Sequence, residues 1–118
     1  MSVRTLFAVV NAAGSLDRGE GARGSRRVAP GQYEVIFRRD VTDCAYVATI
    51  GVPDDAAPPA GEISVGSQPG DRRGVQVRTR NSAGNPANRG FHLVVVCPDD
   101  GDDNGDGDNG DGDGDNGD

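Results

Sequence analysis

The chain has no lysine, so all 12 of its basic residues are arginine. That removes Schiff-base chemistry, the phosphate-loop lysine and lysine–asparagine isopeptide cross-links from its repertoire. It has no tryptophan, and only three Phe and two Tyr, so any core rests on few large rings. One histidine, His92, and two cysteines 53 positions apart, Cys44 and Cys97, are too few for a zinc site. No run of about 18 apolar residues occurs, so nothing reads as a membrane-spanning helix. The opening MSVRTLFAVVNAAG has the charge and small residues of a signal peptide. Its apolar stretch, Leu6–Val10, is shorter than such a peptide's core requires. It reads instead as a first strand, of a leaderless, mature or recombinant form.

What is present falls into two unequal parts. Residues 99–118 are ten Asp, seven Gly and three Asn, whereas residues 1–98 carry the 12 Arg against nine acids (19 minus 10), a net of +3. The formal charge of −7 is therefore a mildly basic body, residues 1–98, joined to a −10 tail, residues 99–118. A length of 118 residues fits one domain. Domains this small bury a limited fraction of their surface and often need a cross-link or a partner subunit.

The body alternates with a period of two and shows no helical periodicity. The segment Gln32–Gly51, QYEVIFRRDVTDCAYVATIG, predicts the heart of the core. Tyr33, Val35 and Phe37 share one face of a first strand. After the polar break Arg39–Asp43, the residues Cys44, Tyr46, Ala48 and Ile50 share one face of a second, which predicts a hairpin. Leu6–Val10, Glu62–Gly66, the run around Val75–Thr79, and Phe91–Cys97 are further strands. Residues 16–27 are Gly- and Arg-rich and weakly patterned, with a short strand around Arg26–Ala29. Pro30–Gly31 fits the central pair of a type II turn. Residues 51–61 and Asn81–Arg89 are long polar loops. Phe91–Cys97 carries apolar residues on both faces, which marks a central strand or one whose second face meets another subunit. The expected fold is an all-β antiparallel sandwich or jelly-roll of six to seven short strands with a low-complexity acidic C-terminal tail.

Cys44 begins one expected strand and Cys97 ends another, positions that antiparallel neighbours bring together. The expected pairing is Cys44 with Cys97, and such a bridge contributes roughly 4 kcal/mol in the chain-entropy model. Two buried, unpaired thiols behaving as small hydrophobes are the alternative.

The segments FAVVNAAGSLDRG, GQYEVIFRRDVTDCAYVATIG, GEISV, VQVRTR and FHLVVVC resemble a widespread, poorly characterised bacterial module. Its form is AVVNAxGxLxRG, GxYEVxFxxDVxxCAYVATxG and a closing FHLxVxC, and it typically ends larger secreted or surface proteins. The resemblance covers nearly all of residues 5–97. It implies a β-domain with a structural or display role and brings no catalytic motif. The Asp/Gly/Asn extension departs from it.

Few residues offer chemistry. Nucleophilic catalysis needs a base beside Ser or Cys, and the single His92 falls on the strand face opposite Cys97. Asp54 and Asp55 are adjacent acids in a Pro-rich loop, where carboxylates are ordinarily solvated. The glycines sit in no strand–turn–helix pattern that would hold a phosphate. These residues predict no enzyme. The doublets Arg26–Arg27, Arg38–Arg39 and Arg72–Arg73 are turn charges, a basic surface, or receivers for the acidic tail of another copy. A net of +3 with no interleaved aromatics argues against nucleic acid.

The tail carries the sharpest chemical signal. Calcium takes six to eight hard oxygens on a flexible backbone. Aligned to the loop D-x-[DN]-x-[DN]-G-x5-E, Asp102, Asn104, Asp106 and Gly107 match positions one, three, five and six. Asp108 takes position seven and Asp113 position twelve. Asp in place of the final Glu, Asn109 in place of an apolar residue, and the lack of flanking helices depart from that pattern. A self-repelling solubility tail is the alternative. Together these features predict a non-enzymatic extracellular or cell-surface protein, or one on a virion, that self-assembles as a homo-oligomer or filament, with a tail that binds Ca2+. From a different class comes a receptor- or glycan-binding head, a phage tail tip or adhesin, with recognition in the loops Gly51–Gly61 and Asn81–Arg89.

Overall fold

The computed structural model describes residues 2–99. They form eight strands: β1 Ser2–Val10, β2 Leu16–Glu20, β3 Ala22–Ala29, β4 Gln32–Phe37, β5 Ala45–Ile50, β6 Glu62–Ser67, β7 Gly74–Arg80 and β8 Phe91–Asp99. Two four-stranded antiparallel sheets, ordered β2-β1-β8-β5 and β3-β4-β7-β6, stack as a sandwich. The all-β sandwich expected from the alternating pattern is the fold observed.

Alternation decides which side chains meet between the sheets. Tyr33, Val35 and Phe37 from β4 and Val75, Val77 and Thr79 from β7 face Leu6, Ala8 and Val10 from β1 and Phe91, Leu93, Val95 and Cys97 from β8. Tyr33 and Phe91 meet edge-to-face, centroids 5.2 Å apart. β8 is central, paired with β1 on one side and β5 on the other, as its two-sided apolar character predicts.

Three expectations are corrected. The strands number eight, not six or seven, because residues 16–27 are ordered as β2 and most of β3. The first strand also begins earlier, at Ser2. Most informative is the failure of the central hairpin. β4 and β5 lie in different sheets, and the segment between them crosses from one to the other. Val41, in the middle of that polar break, is fully buried. Its amide donates to the Arg72 carbonyl (2.9 Å), and its carbonyl accepts from the Cys44 amide (3.1 Å). The segment is thus a plug across one end of the sandwich rather than a turn.

β2 and β3 are one extended stretch that turns a corner from sheet to sheet at Gly21. The φ there is +75°, and a Cβ would lie 2.6 Å from Leu6 Cδ2, so the position requires glycine. At Pro30–Gly31 the expected turn joins β3 to β4, with Gly31 at φ +67°.

Candidate functional site

Cys44 and Cys97 are joined, with Cα atoms 4.3 Å apart. The bridge ties the entry of β5 to the end of β8 and fixes the plug segment to the core. Asp102, Asn104, Asp106, Asp108 and Asp113 lie outside the described residues. Among the described residues no group of three or more His, Cys, Asp or Glu is placed to hold a metal. Asp54 is exposed, and its Oδ1 accepts the Ala56 amide (3.0 Å), closing a local turn. His92 lies on the face opposite Cys97, as expected. Its Nε2 is 2.9 Å from the Val52 carbonyl, so it pins the loop segment that leaves β5, a partner invisible in the sequence.

Two surfaces stand out. The first is the outer face of the β2-β1-β8-β5 sheet. Cross-strand register sets Phe7 beside Val94 and Val94 beside Val47. The next row is Thr5, Val96 and Ala45, and the row beyond pairs Val3 with Pro98. Val3 and Val47 are 61% and 64% exposed, and Phe7 and Val94 37% each. At the other end of this face Val9 is buried. There the segment after β5 folds back across it, with Arg18 Nη1 donating to the Pro53 carbonyl (2.9 Å) and His92 holding Val52.

The second surface is the end of the sandwich where residues 11–15, 30–31, 51–61 and 81–90 gather. Two of its turns share one construction. In Asn11–Ser15 (NAAGS) the Asn11 Oδ1 accepts the amides of Ala13 and Ser15. In Asn81–Asn85 (NSAGN) the Asn81 Oδ1 accepts those of Ala83 and Asn85. Gly14 and Gly84 close the two turns at φ +96° and +87°. An Asn at the first position and a Gly at the fourth are what such a side-chain-capped turn requires, a repeat that sequence reasoning overlooked.

Buried polar groups bolt these loops down. The Tyr33 hydroxyl donates to the Ala12 carbonyl (2.7 Å) and accepts the Arg89 amide (3.2 Å). Thr79 Oγ1 donates to the Ala87 carbonyl (2.6 Å), and the Asn88 Oδ1 accepts the Gly31 amide (2.9 Å). Arg89 Nε reaches the Ala60 carbonyl (3.0 Å), linking the 51–61 and 81–90 loops. Burial pushes the Tyr33 phenol above its ordinary pKa, offset in part by the Arg89 amide and by Thr79.

The arginine doublets separate into two groups. Arg38–Arg39 and Arg72–Arg73 meet at the plugged end, where the Phe37 amide donates to the Arg73 carbonyl (2.8 Å). Arg26 sits on β3 and pairs with Glu34 (2.8 Å). Across the outer face of the β3-β4-β7-β6 sheet runs an open groove of about 340 Å³ lined by Ser64, Gly66, Gln76 and Arg78. A comparison with known protein families, curated proteins and solved structures finds no match for this chain.

Proposed function

We propose that the chain is a non-enzymatic extracellular structural subunit that associates with copies of itself through the outer face of the β2-β1-β8-β5 sheet. The observation that carries this is the contiguous apolar patch of Val3, Phe7, Val47, Val94 and Val96 on strands whose other face already fills the core. Contiguous exposed apolar area of this kind marks interaction sites, and an isologous pairing of one face with itself is the simplest closed assembly. A disulfide between β8 and the segment that enters β5 fits an oxidising compartment, and the resemblance to surface modules points the same way. Calcium belongs to this reading as the ligand of Asp102, Asn104, Asp106, Asp108 and Asp113, compacting the tails between neighbours.

The test is the solution mass by light scattering over a hundredfold concentration range. The wild-type chain is expected to associate, and Val47→Asp with Val94→Asp to remain monomeric with an unchanged circular dichroism spectrum. A wild-type chain that stays monomeric throughout defeats the proposal.

A receptor- or glycan-binding head is the second reading, favoured by one observation. The two loops expected to carry recognition, 51–61 and 81–90, lie side by side and are fastened by Arg89 to a common anchor. Glycan-array binding that is lost on Asn85→Ala with Asn88→Ala, in a chain that remains monomeric, selects this reading over the first.

A further inference from the structure

The plugged end of the sandwich is also the end from which residues 100–118 leave the body. Asp99 is opposite Ser2 in the β1–β8 ladder, two residues beyond Cys97, which is bridged to Cys44. The Cys44 amide bonds the Val41 carbonyl and the Val41 amide bonds the Arg72 carbonyl. Arg38 donates its amide to Gly21, at the β2–β3 corner (2.9 Å), and Arg4 is opposite Cys97 in register. The fold therefore collects Arg4, Arg38, Arg39, Arg72 and Arg73 around the point where the chain exits, with Arg23 and Glu20 flanking the corner.

The acids of this end leave it positive. Asp40 is the carboxylate that engages an arginine there, Arg72 Nε at 2.7 Å. It also accepts the amide and hydroxyl of Thr42 (2.9 and 2.6 Å). Asp71 is turned to the Arg73 amide (2.9 Å), and Asp43 lies beside Arg72. Of these five arginines Arg72 alone pairs with a carboxylate, and Arg39 Nε donates to the Asp40 carbonyl (3.0 Å), which leaves the guanidinium groups of Arg4, Arg38 and Arg73 with no side-chain partner among the described residues. The 19 residues beyond Asp99 hold nine aspartates and no basic residue.

We infer that residues 100–118 dock on the arginine end of their own chain, where Arg38 and Arg73 receive their carboxylates. Residues 100–118 are Gly-rich in sequence, and a Gly-rich chain of 19 residues has a root-mean-square span of about 24 Å, a reach that corresponds to an effective concentration in the millimolar range. Intramolecular docking therefore wins over capture by a second copy in dilute solution. Each exposed Arg–Asp contact is weak alone, and the docking depends on several acting together within a Debye length of about 10 Å at 0.1 M salt. This contact is separate from the self-association face, and it makes calcium a competitor for the same carboxylates.

The experiment is heteronuclear NMR of the full chain in low salt, following the Nε–Hε signals of Arg38 and Arg73 and the amides of 38–41 and 71–74. The comparison is with a full-length variant carrying Asp103→Asn, Asp106→Asn, Asp108→Asn and Asp111→Asn. These signals are expected to shift on tail neutralisation, to shift the same way in salt of about 0.5 M, where the Debye length is roughly 4 Å, and to stay put on tenfold dilution. Arg38→Gln with Arg73→Gln is expected to abolish the tail dependence, Arg38→Lys with Arg73→Lys to retain it, and Arg26→Gln with Arg27→Gln to leave it intact. Identical signals with native and neutralised tails overturn the inference. So do tail-dependent shifts that vanish on dilution as the mass falls, or shifts that survive Arg38→Gln with Arg73→Gln.

Discussion

Replacing Tyr33 by Phe keeps the ring against Phe91 and deletes one hydroxyl, so its cost isolates the anchor of the loop end. Two hydrogen bonds go: the 2.7 Å donation to Ala12 and the 3.2 Å acceptance from Arg89. Ala12 is exposed, so water takes over its carbonyl. The Arg89 amide is half-buried and stays poorly satisfied. One net bond at about 1 kcal/mol and part of an orphaned donor at 1–3 kcal/mol give about 1.5 kcal/mol. For a domain of this size that lowers Tm by roughly 8 °C. Amide exchange should accelerate at Arg89 and in Asn11–Ser15 while Val35, Val77 and Val95 keep their protection. A second signature is pH dependence. Because the folded-state pKa of Tyr33 is raised, its neutral form contributes stability that is complete below the unfolded value near 10 and is lost as pH rises through the folded one. The chain has no lysine and its cysteines are paired, so no amine side chain or thiol contributes to that limb. Tyr33→Phe should therefore flatten the alkaline limb of the denaturation profile. A stability within ~0.3 kcal/mol of wild type, or exchange that rises uniformly across the core, would refute the anchoring role.

Cys44→Ala with Cys97→Ala should cost about 4 kcal/mol and lower Tm by roughly 20 °C, measured by calorimetry against the oxidised wild type. Non-reducing mass analysis of the wild type should show two hydrogens fewer than the free-thiol mass. Thr42, through its hydroxyl and amide, and then Arg72 hold the Asp40 carboxyl well below the usual carboxylate range. Its stabilisation is thus complete above the unfolded value near 3.9 and is lost as pH falls below it, so Asp40→Asn should blunt the acid limb of unfolding. Millimolar calcium should raise the light-scattering mass of the full chain, and excess chelator should reverse the rise. An equal response from a variant with the tail aspartates changed to asparagine would remove the tail from assembly.

Legibility in the sequence followed the density of apolar alternation. YEVIF, VQV and FHLVVVC announced β4, β7 and β8, because each strand must fill one face with large side chains. LDRGE announced nothing, and ARGSRRVA announced only its second half, the short strand around Arg26–Ala29. They are edge strands that each turn only one or two small contacts, such as Leu16 and Ala22, toward the core. The misplaced hairpin has a more particular cause. A polar break between two strands reads as a turn, and only the lone Val41 within it signals that the chain dives across the sandwich. The cysteines were legible by parity. The anchor at Tyr33 was not, since its partners lie 21 and 56 positions away and no local pattern encodes them. Of the candidate surfaces, the outer-face valines were visible as the second face of β8, whereas the arginine end required knowing that two distant doublets meet.

Ser2 and Asp99 face each other across one rung of the β1–β8 ladder. A pull on the two ends of the body does not stretch the sandwich along its strands; it opens that ladder like a zipper, one pair at a time from Ser2–Asp99 inward. The cross-link from Cys97 to Cys44 stops β8 from following, so the strand that peels away is β1. Each rung released uncovers Leu6, then Ala8, then Val10. The domain should therefore yield at low force and in small steps, and re-close readily once the tension is gone.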